Sequence, residues 1–241
     1  MHKFSENPGN PINTFILPFV FTDKIVEAVG SIWANHVPEE HRLILIDNSG
    51  EDYLYKKQLE ELSHIYIKSY RNLGPAVAFN LGIQMARTEY VTILSDDARL
   101  INKLWFTRSC RLLEDSENTI VSLGSIYPQK VDIGEFYDPG KIYTEEDYTF
   151  YCKKYESKRE GFGLACAIAK KETWLKSGLF DESKYIYSID GVFADQANKN
   201  GVDTIYQGII FHYGDASHKG RLVKEGKFHQ IGLLNEKQAI L

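Results

Sequence analysis

Two runs of the chain are apolar without a break, and each stops at an acid. Leu43-Ile44-Leu45-Ile46 ends at Asp47, and Tyr90-Val91-Thr92-Ile93-Leu94 ends at Ser95-Asp96-Asp97. A strand with one wet face alternates polar and apolar residues, whereas a strand apolar throughout is covered on both faces. Helix-compatible stretches separate such runs, and repeated strand–helix units build an α/β fold with a mostly parallel sheet flanked by helices. That architecture also places the site, because ligands of open α/β sheets bind just beyond the carboxyl ends of the strands. A buried carboxylate is costly unless paired or metal-bound. The adjacent acids Asp96 and Asp97 therefore suggest a divalent cation held by oxygen ligands next to a phosphate-bearing partner.

The alternation is regular through the first half. Strands are expected at Thr14–Val20, Leu43–Ile46, Ile65–Ile67 and Tyr90–Leu94. Thr22 or Asp23 can cap a helix that buries Ile25, Val29, Ile32 and Trp33, and a second helix covers Tyr53–Leu62. Gly74-Pro75 opens a third, with Val77, Leu81 and Met85 on one face. The second half is less regular: strands at Thr119–Ile126, Gly163–Ala169 and Thr204–Phe211, and helices at Glu172–Ser177 and Ile189–Asn200, the latter stopped by Gly201. Tyr127–Glu160 is polar and rich in Tyr, Gly and acids, and reads as a long loop or a small excursion, of the kind that often carries function.

The 241 residues suit one domain, and a net charge of -5 disfavours a general nucleic-acid binder or a metal-dependent nuclease. The cysteines, Cys110, Cys152 and Cys166, are odd in number and widely spaced, as free thiols in a reducing compartment are. No apolar run has transmembrane length, and Met1–Pro8 lacks the apolar core of a signal peptide. The expected address is cytoplasmic, with peripheral membrane association allowed.

Each candidate site residue also has a plain structural account. Asp96, Asp97 and Asp47 could be turn aspartates accepting backbone N–H bonds. Taken together, though, Asp47, Asp97 and the Phe19–Thr22 turn should open on one sheet edge, where a carboxylate can meet a nucleobase N–H or a ribose hydroxyl. In Arg71-Asn72-Leu73-Gly74-Pro75, Gly74 lets backbone approach a ligand and Arg71 can pair with phosphate. His212 closes an apolar strand; it is either a satisfied core histidine or a nitrogen ligand for Mn2+. Asp190 at a helix start suits the helix dipole, or faces a substrate as a general base. Lys219, Arg221 and Lys224 are solvated charges, or a basic loop closing over a diphosphate.

In order, these pieces resemble the family-2 glycosyltransferases of the GT-A fold, from Thr14 to about His218. Ile44-Leu45-Ile46-Asp47-Asn48-Ser49 resembles the strand whose first acid contacts the base of a sugar nucleotide. Arg71 to Gly82, including Asn80-Leu81-Gly82, resembles a segment of rhamnosyltransferase-like members. Ser95-Asp96-Asp97 takes the place of the DxD motif, with Ser95 in place of its first acid. Gly178-Leu179-Phe180-Asp181-Glu182, then Tyr187, Asp190 and Gly201, is similar to the family run from Gly-Gly-Phe-Asp-Glu through an aromatic residue and Glu-Asp to a helix-ending Gly. The departures are Ile189 for the Glu before the base, Gln196 for the usual Arg, and Val192 for another common acid.

The resemblance implies a Rossmann-like central sheet with a smaller, irregular acceptor side. It divides the single domain into a nucleotide-binding half (about 14–100), an acceptor half (about 101–218) and a tail (219–241). It further implies inverting transfer from a nucleotide-diphosphate sugar (UDP, GDP or dTDP) to a glycan or lipid-linked glycan. Asp190 would be the base and Asp97 and His212 the ligands of Mn2+ or Mg2+. Asp47, Asn48, Arg71, Gly74, Asp96 and Arg221 would bind the nucleotide sugar. The alternative is a degenerate domain that binds nucleotide or glycan without turnover, as Ile189 and Gln196 would allow. A nucleotidyltransferase would want a basic, Gly-rich loop after the first strand, and Pro18-Phe19-Val20-Phe21-Thr22 has neither.

Overall fold

The computed structural model describes residues 11–20, 24–50, 54–127, 143–156, 159–183 and 189–212. In chain order they form β1 (Asn13–Phe19), α1 (Lys24–Asn35), β2 (His41–Asp47), α2 (Lys56–Leu62), β3 (Ile65–Lys68), α3 (Gly74–Met85), β4 (Tyr90–Leu94) and β5 (Ala98–Arg99). There follow α4 (Leu104–Asp115), β6 (Thr119–Ile126), α5 (Glu145–Tyr155), β7 (Arg159–Glu160), β8 (Cys166–Lys170), α6 (Lys171–Lys176), α7 (Ile189–Lys199) and β9 (Asp203–His212).

One sheet runs β3-β2-β1-β4-β8-β6-β9-β5, with β7 paired to β9. The parallel ladders are β1 with β2 and β4, β2 with β3, and β6 with β9. The antiparallel β8 is inserted between β4 and β6, and the two-residue strands β5 and β7 run antiparallel to β9.

The unbroken apolar runs are explained by cover on both faces. Phe15, Leu17, Phe19, Leu43 and Leu45 point to a core closed by α1, α4 and α5, through Ile25, Val29, Ile32, Trp105 and Tyr148. Their neighbours Ile16, Ile44 and Ile46 point to a second core closed by α3, α6 and α7, through Phe79, Ile83, Trp174 and Phe193. Burying two apolar residues in succession is what a doubly covered parallel strand demands.

Three expectations need correction. Residues 104–115, which carry no element in the sequence reading, form α4, burying Trp105, Phe106, Ser109 and Leu113. The expected loop Tyr127–Glu160 contains α5. There Thr144 Oγ1 accepts the Asp147 N–H at 3.1 Å and Asp147 Oδ2 accepts the Thr144 N–H at 2.8 Å, a reciprocal cap of the first turn. On α3, Val77 and Leu81 are half-buried and Met85 is 37% exposed; the buried face is Ala76, Phe79, Asn80, Gly82 and Ile83. Gly82 belongs there because any Cβ would run into the Ile16 side chain of β1.

The irregular half is tied together by Glu156, which follows α5. Its carboxylate takes two bonds from Arg108 Nη2 of α4, at 3.2 and 3.1 Å, and one from the Gly208 N–H of β9 at 2.6 Å. Gly208 has φ +86° and sits where the β6–β9 register shifts. The three cysteines form no disulfide, and burial pushes the Cys110 thiol up to about 12. Among the described residues no helix is long and apolar enough to cross a membrane.

Candidate active site

Parallel pairing of β2, β1 and β4 brings their carboxyl ends to one edge, with Phe19 opposite Asp47. Asp47 is fully buried, and both oxygens are engaged. Oδ1 accepts the Ser49 N–H at 2.9 Å and Oδ2 the Tyr66 hydroxyl at 2.7 Å. Its carbonyl accepts the Ser69 N–H at 2.8 Å, which draws the β3–α3 loop to the same edge. The Asn48 N–H extends the ladder to the Phe19 carbonyl at 2.9 Å. Its side-chain Oδ1, also buried, has no hydrogen-bond partner among the described residues.

The acid pair lies in a tight turn, closed by the Ala98 N–H on the Ser95 carbonyl at 3.1 Å. This agrees with the plain account of a turn, but the turn also has a neighbour. β5 pairs with β9 so that Ala98 faces His212, and that register sets His212 Nε2 3.1 Å from Asp97 Oδ1. Ser95 donates its hydroxyl to the same oxygen at 2.7 Å. Burial pushes the Asp97 carboxyl up, but bonding and charge from His212, with the Ser95 hydroxyl, outweigh it and hold it below the usual range. Asp96 turns the other way, and its Oδ2 receives the Val20 N–H at 3.4 Å.

The Asp97–His212 pair suits an oxygen-preferring divalent cation. Ligands about 2.1 Å from such an ion, on adjacent vertices of an octahedron, lie about 3.0 Å apart. The observed 3.1 Å between Oδ1 and Nε2 matches that edge. The other ring nitrogen, Nδ1, is buried without a hydrogen-bond partner among the described residues. No group of three or more His, Cys, Asp or Glu forms a metal cluster among those residues.

Arg71 and Gly74 lie in the β3–α3 loop. Arg71 is exposed and carries no side-chain partner among the described residues. Gly74 opens α3 at φ +77°, and its N–H is held by Asn72 Oδ1 at 2.9 Å. Asp190 lies in the exposed first turn of α7, with Oδ1 accepting the Gly191 N–H at 2.9 Å. The residue before it, Ile189, is 2% exposed and packs in the second core. Gln196 donates Nε2 to the Ser177 and Leu179 carbonyls at 3.1 and 2.7 Å, in a turn where Leu179 has φ +63°. The Gln196 amide thus braces the turn ahead of α7. Arg221, Lys219, Lys224 and Tyr187 lie outside the described residues.

Tyr66 and Tyr206 were missed by the sequence reading. Tyr66 orients Asp47, although nothing in a short apolar strand marks it for that task. Tyr127 packs its ring 5.2 Å from His212. Tyr206 donates its hydroxyl to the Phe162 carbonyl at 2.7 Å and lies under the Arg159 guanidinium, 4.9 Å from the ring centre. Burial raises the Tyr206 pKa; Asp190 and Tyr127 add to the rise and Arg159 opposes it.

Comparisons with known proteins speak to the fold and the family. No curated protein matches the sequence. Among solved structures, the crystal structure of GalNAc-T7 with UDP, GalNAc and Mn2+ superposes with a TM-score of 0.61 at 12% identity, over 86% of this chain and 44% of that one. The S. aureus TarS 1-349 structure gives 0.57 at 14% identity, over 83% of this chain and 60% of that one. A longer S. aureus TarS structure gives 0.59 at 12%, over 89% and 38%. The chain thus spans roughly two-fifths to three-fifths of these proteins, and at such identities the likeness is one of fold. The family description for glycosyl transferase family 2 matches residues 17–176. With two-thirds of its length inside that match, the chain belongs to glycosyl transferase family 2.

Proposed function

We propose that this protein transfers a sugar from a nucleotide-diphosphate donor to a hydroxyl of a glycan or lipid-linked glycan, inverting the anomeric centre. The observation that carries the reading is the shared edge, where Asp47, Asn48 and Asp96 flank an Asp97–His212 pair 3.1 Å apart. Asp47, braced by Ser49 and Tyr66, and the unpartnered Asn48 Oδ1 offer acceptors to nucleobase N–H groups. The Arg71 guanidinium donates to diphosphate oxygens, Gly74 lets backbone approach them, and Asp96 accepts a ribose hydroxyl. Asp97 and His212 would hold Mn2+ or Mg2+, which when bound supplies charge neutralisation for the leaving diphosphate. Asp190 takes the proton from the acceptor hydroxyl as its oxygen bonds to the anomeric carbon and the carbon–oxygen bond to the diphosphate breaks. Only Oδ1 of Asp190 is bonded within the described residues, which leaves Oδ2 for that proton.

Residues of about 14–100 serve the nucleotide and about 101–218 the acceptor, within one working unit. Three thiols without a disulfide support a reducing, cytoplasmic setting. GalNAc-T7 was crystallised with UDP, GalNAc and Mn2+, which puts UDP-sugars and Mn2+ first in a donor screen. The rhamnosyltransferase-like Asn80-Leu81-Gly82 adds dTDP-deoxyhexoses, and GDP-sugars complete the panel. One observation favours the second reading, a nucleotide-binding domain without turnover: the residue before Asp190 is a core isoleucine and offers no second acid. The test is nucleoside diphosphate release across the panel with glycan acceptors, with the product anomer read by NMR. A retained anomer would overturn inversion, and tight donor binding without release from any donor would select the second reading.

A further inference from the structure

Strand β9 changes register on its way to the candidate site. Ser122 of β6 pairs with Tyr206, but Gly124 pairs with Ile209, so Gln207 and Gly208 together oppose Leu123. This is a β-bulge: one extra residue on one strand, which re-aims the side chains that follow. Beyond it Ile126 faces Phe211, and on the other side of β9 Ala98 faces His212. Without the extra residue, Ile210 would stand opposite Ile126 and Phe211 opposite Ala98. Successive side chains point to opposite faces, so such a slip sends each one to the wrong face. His212 would leave Asp97, and Phe211 would leave its place against the rings of Tyr143 and Tyr151.

The bulge is held from outside the sheet. β7 pairs with β9 at Ile205 and Tyr206, β5 pairs with it at Phe211 and His212, and neither ladder includes Gln207 or Gly208. Glu156 serves that gap. Its Oε1 accepts the Gly208 N–H at 2.6 Å, and the Tyr148 hydroxyl accepts the Ile209 N–H at 3.4 Å. The Glu156 side chain is only 11% exposed, and a buried carboxylate is costly without a charged partner. Arg108 meets that need, donating to both oxygens at 3.2 and 3.1 Å. Gly208 completes the device with φ +86°, where a Cβ would also lie 2.8 Å from the Tyr148 hydroxyl oxygen.

We propose that Glu156 is a positioning residue for the metal pair: by holding the Gly208 bulge it fixes the register that sets His212 beside Asp97. This role rests on the reading of Asp97 and His212 as metal ligands. Glu156 acts through β9, from Gly208 to His212, and not by contact with an ion.

The test uses the full chain and NMR. The rings of His212 and Tyr127 lie 5.2 Å apart, so the native register should give a nuclear Overhauser effect between them. E156L removes the acceptor for the Gly208 N–H, and G208A disfavours the left-handed backbone without touching Glu156. Each should abolish that ring-to-ring signal, whereas E156Q keeps an oxygen for the N–H and should preserve it. Mn2+ alone, titrated into each protein, should broaden the His212 ring resonances. The half-broadening concentration should rise at least about tenfold in E156L and G208A, and stay within about threefold of native in E156Q. Where E156L does not fold, G208A decides by the same two readings. A native ring-to-ring signal and a native Mn2+ response in E156L and G208A, whatever their unfolding midpoints, would overturn the assignment. If the signal is lost in both variants while Mn2+ leaves the native His212 resonances sharp, the metal reading falls and the register role stands.

Discussion

Asn80 brackets the backbone of Phe180 from both sides. Its Nδ2 donates to the Phe180 carbonyl and its Oδ1 accepts the Phe180 N–H, each at 2.9 Å. Nδ2 also reaches Glu182 Oε1 at 2.9 Å. One side chain thus ties α3, which begins at Gly74, to the segment leading to Asp190. Removing it in N80A leaves a buried N–H and a buried carbonyl without partners, at about 1–3 kcal/mol each. Urea unfolding should report a loss of roughly 2–6 kcal/mol, and a loss under about 0.5 kcal/mol would mean that water replaces the amide at little cost.

The Asp97–His212 pair can be separated from the nucleotide contacts by titrating metal. H212A removes one proposed ligand atom and leaves Asp47 and Asn48 in place. The Mn2+ concentration for half-maximal transfer should rise at least about 10–100-fold, the range for losing even an outer-shell partner of a metal ligand. D97N should do the same, since an amide oxygen lacks the carboxylate charge. An unchanged metal requirement in both variants would leave the pair as a hydrogen bond and nothing more.

D190N keeps the shape of Asp190 and removes its basicity. A positioned general base contributes about 10²–10⁴-fold, so transfer should fall by that factor while affinity for the nucleotide, measured calorimetrically, stays within twofold. Near-normal turnover would pass the role of base to another group.

The edge residues were legible because each interrupts a pattern. Asp47 and Asp97 follow apolar runs, and His212 ends one. What could not be read was set by contacts distant in sequence. His212 meets Asp97 only because Ala98 pairs with it across 114 positions. The buried face of α3 was misread because Asn80 and Gly82 look like a polar residue and a helix weakener. They are buried because Phe180 needs hydrogen bonds and Ile16 leaves no room for a Cβ. The helix α5 hides in a polar stretch whose tyrosines become core only against β9. Its local mark was the Thr144–Asp147 cap.

The Gly82 contact gives a measurement of packing. Alanine is favoured over glycine inside a helix by about 1 kcal/mol, yet overpacking costs roughly 1–3 kcal/mol. G82A should therefore destabilise on balance. In I16A the cavity has room for the new methyl group, so the double variant should be more stable than the sum of the single losses predicts. Additive losses would show that the helix simply shifts away from β1.

Acid sensitivity should come from a pair of histidines far from any substrate. The rings of His36 and His41 lie 4.4 Å apart, both buried, against Phe106, with Phe15 also close to each. His36 Nε2 and His41 Nδ1 have no hydrogen-bond partner among the described residues. Burial first, then His41 and Lys103, hold His36 down to about 3; burial holds His41 down to about 4. Unfolded, both rings take a proton near pH 6.5. Below that pH the unfolded chain binds more protons than the folded one, so stability falls as pH falls. The loss approaches about 1.4 kcal/mol per pH unit for each ring and continues to about pH 4 for His41 and about pH 3 for His36. Urea midpoints measured from pH 7 to pH 4 should drop steeply in the native protein. They should drop less steeply in H36F/H41F, where neither ring can take a proton in either state. Parallel curves for the two proteins would assign the acid loss to carboxylates instead.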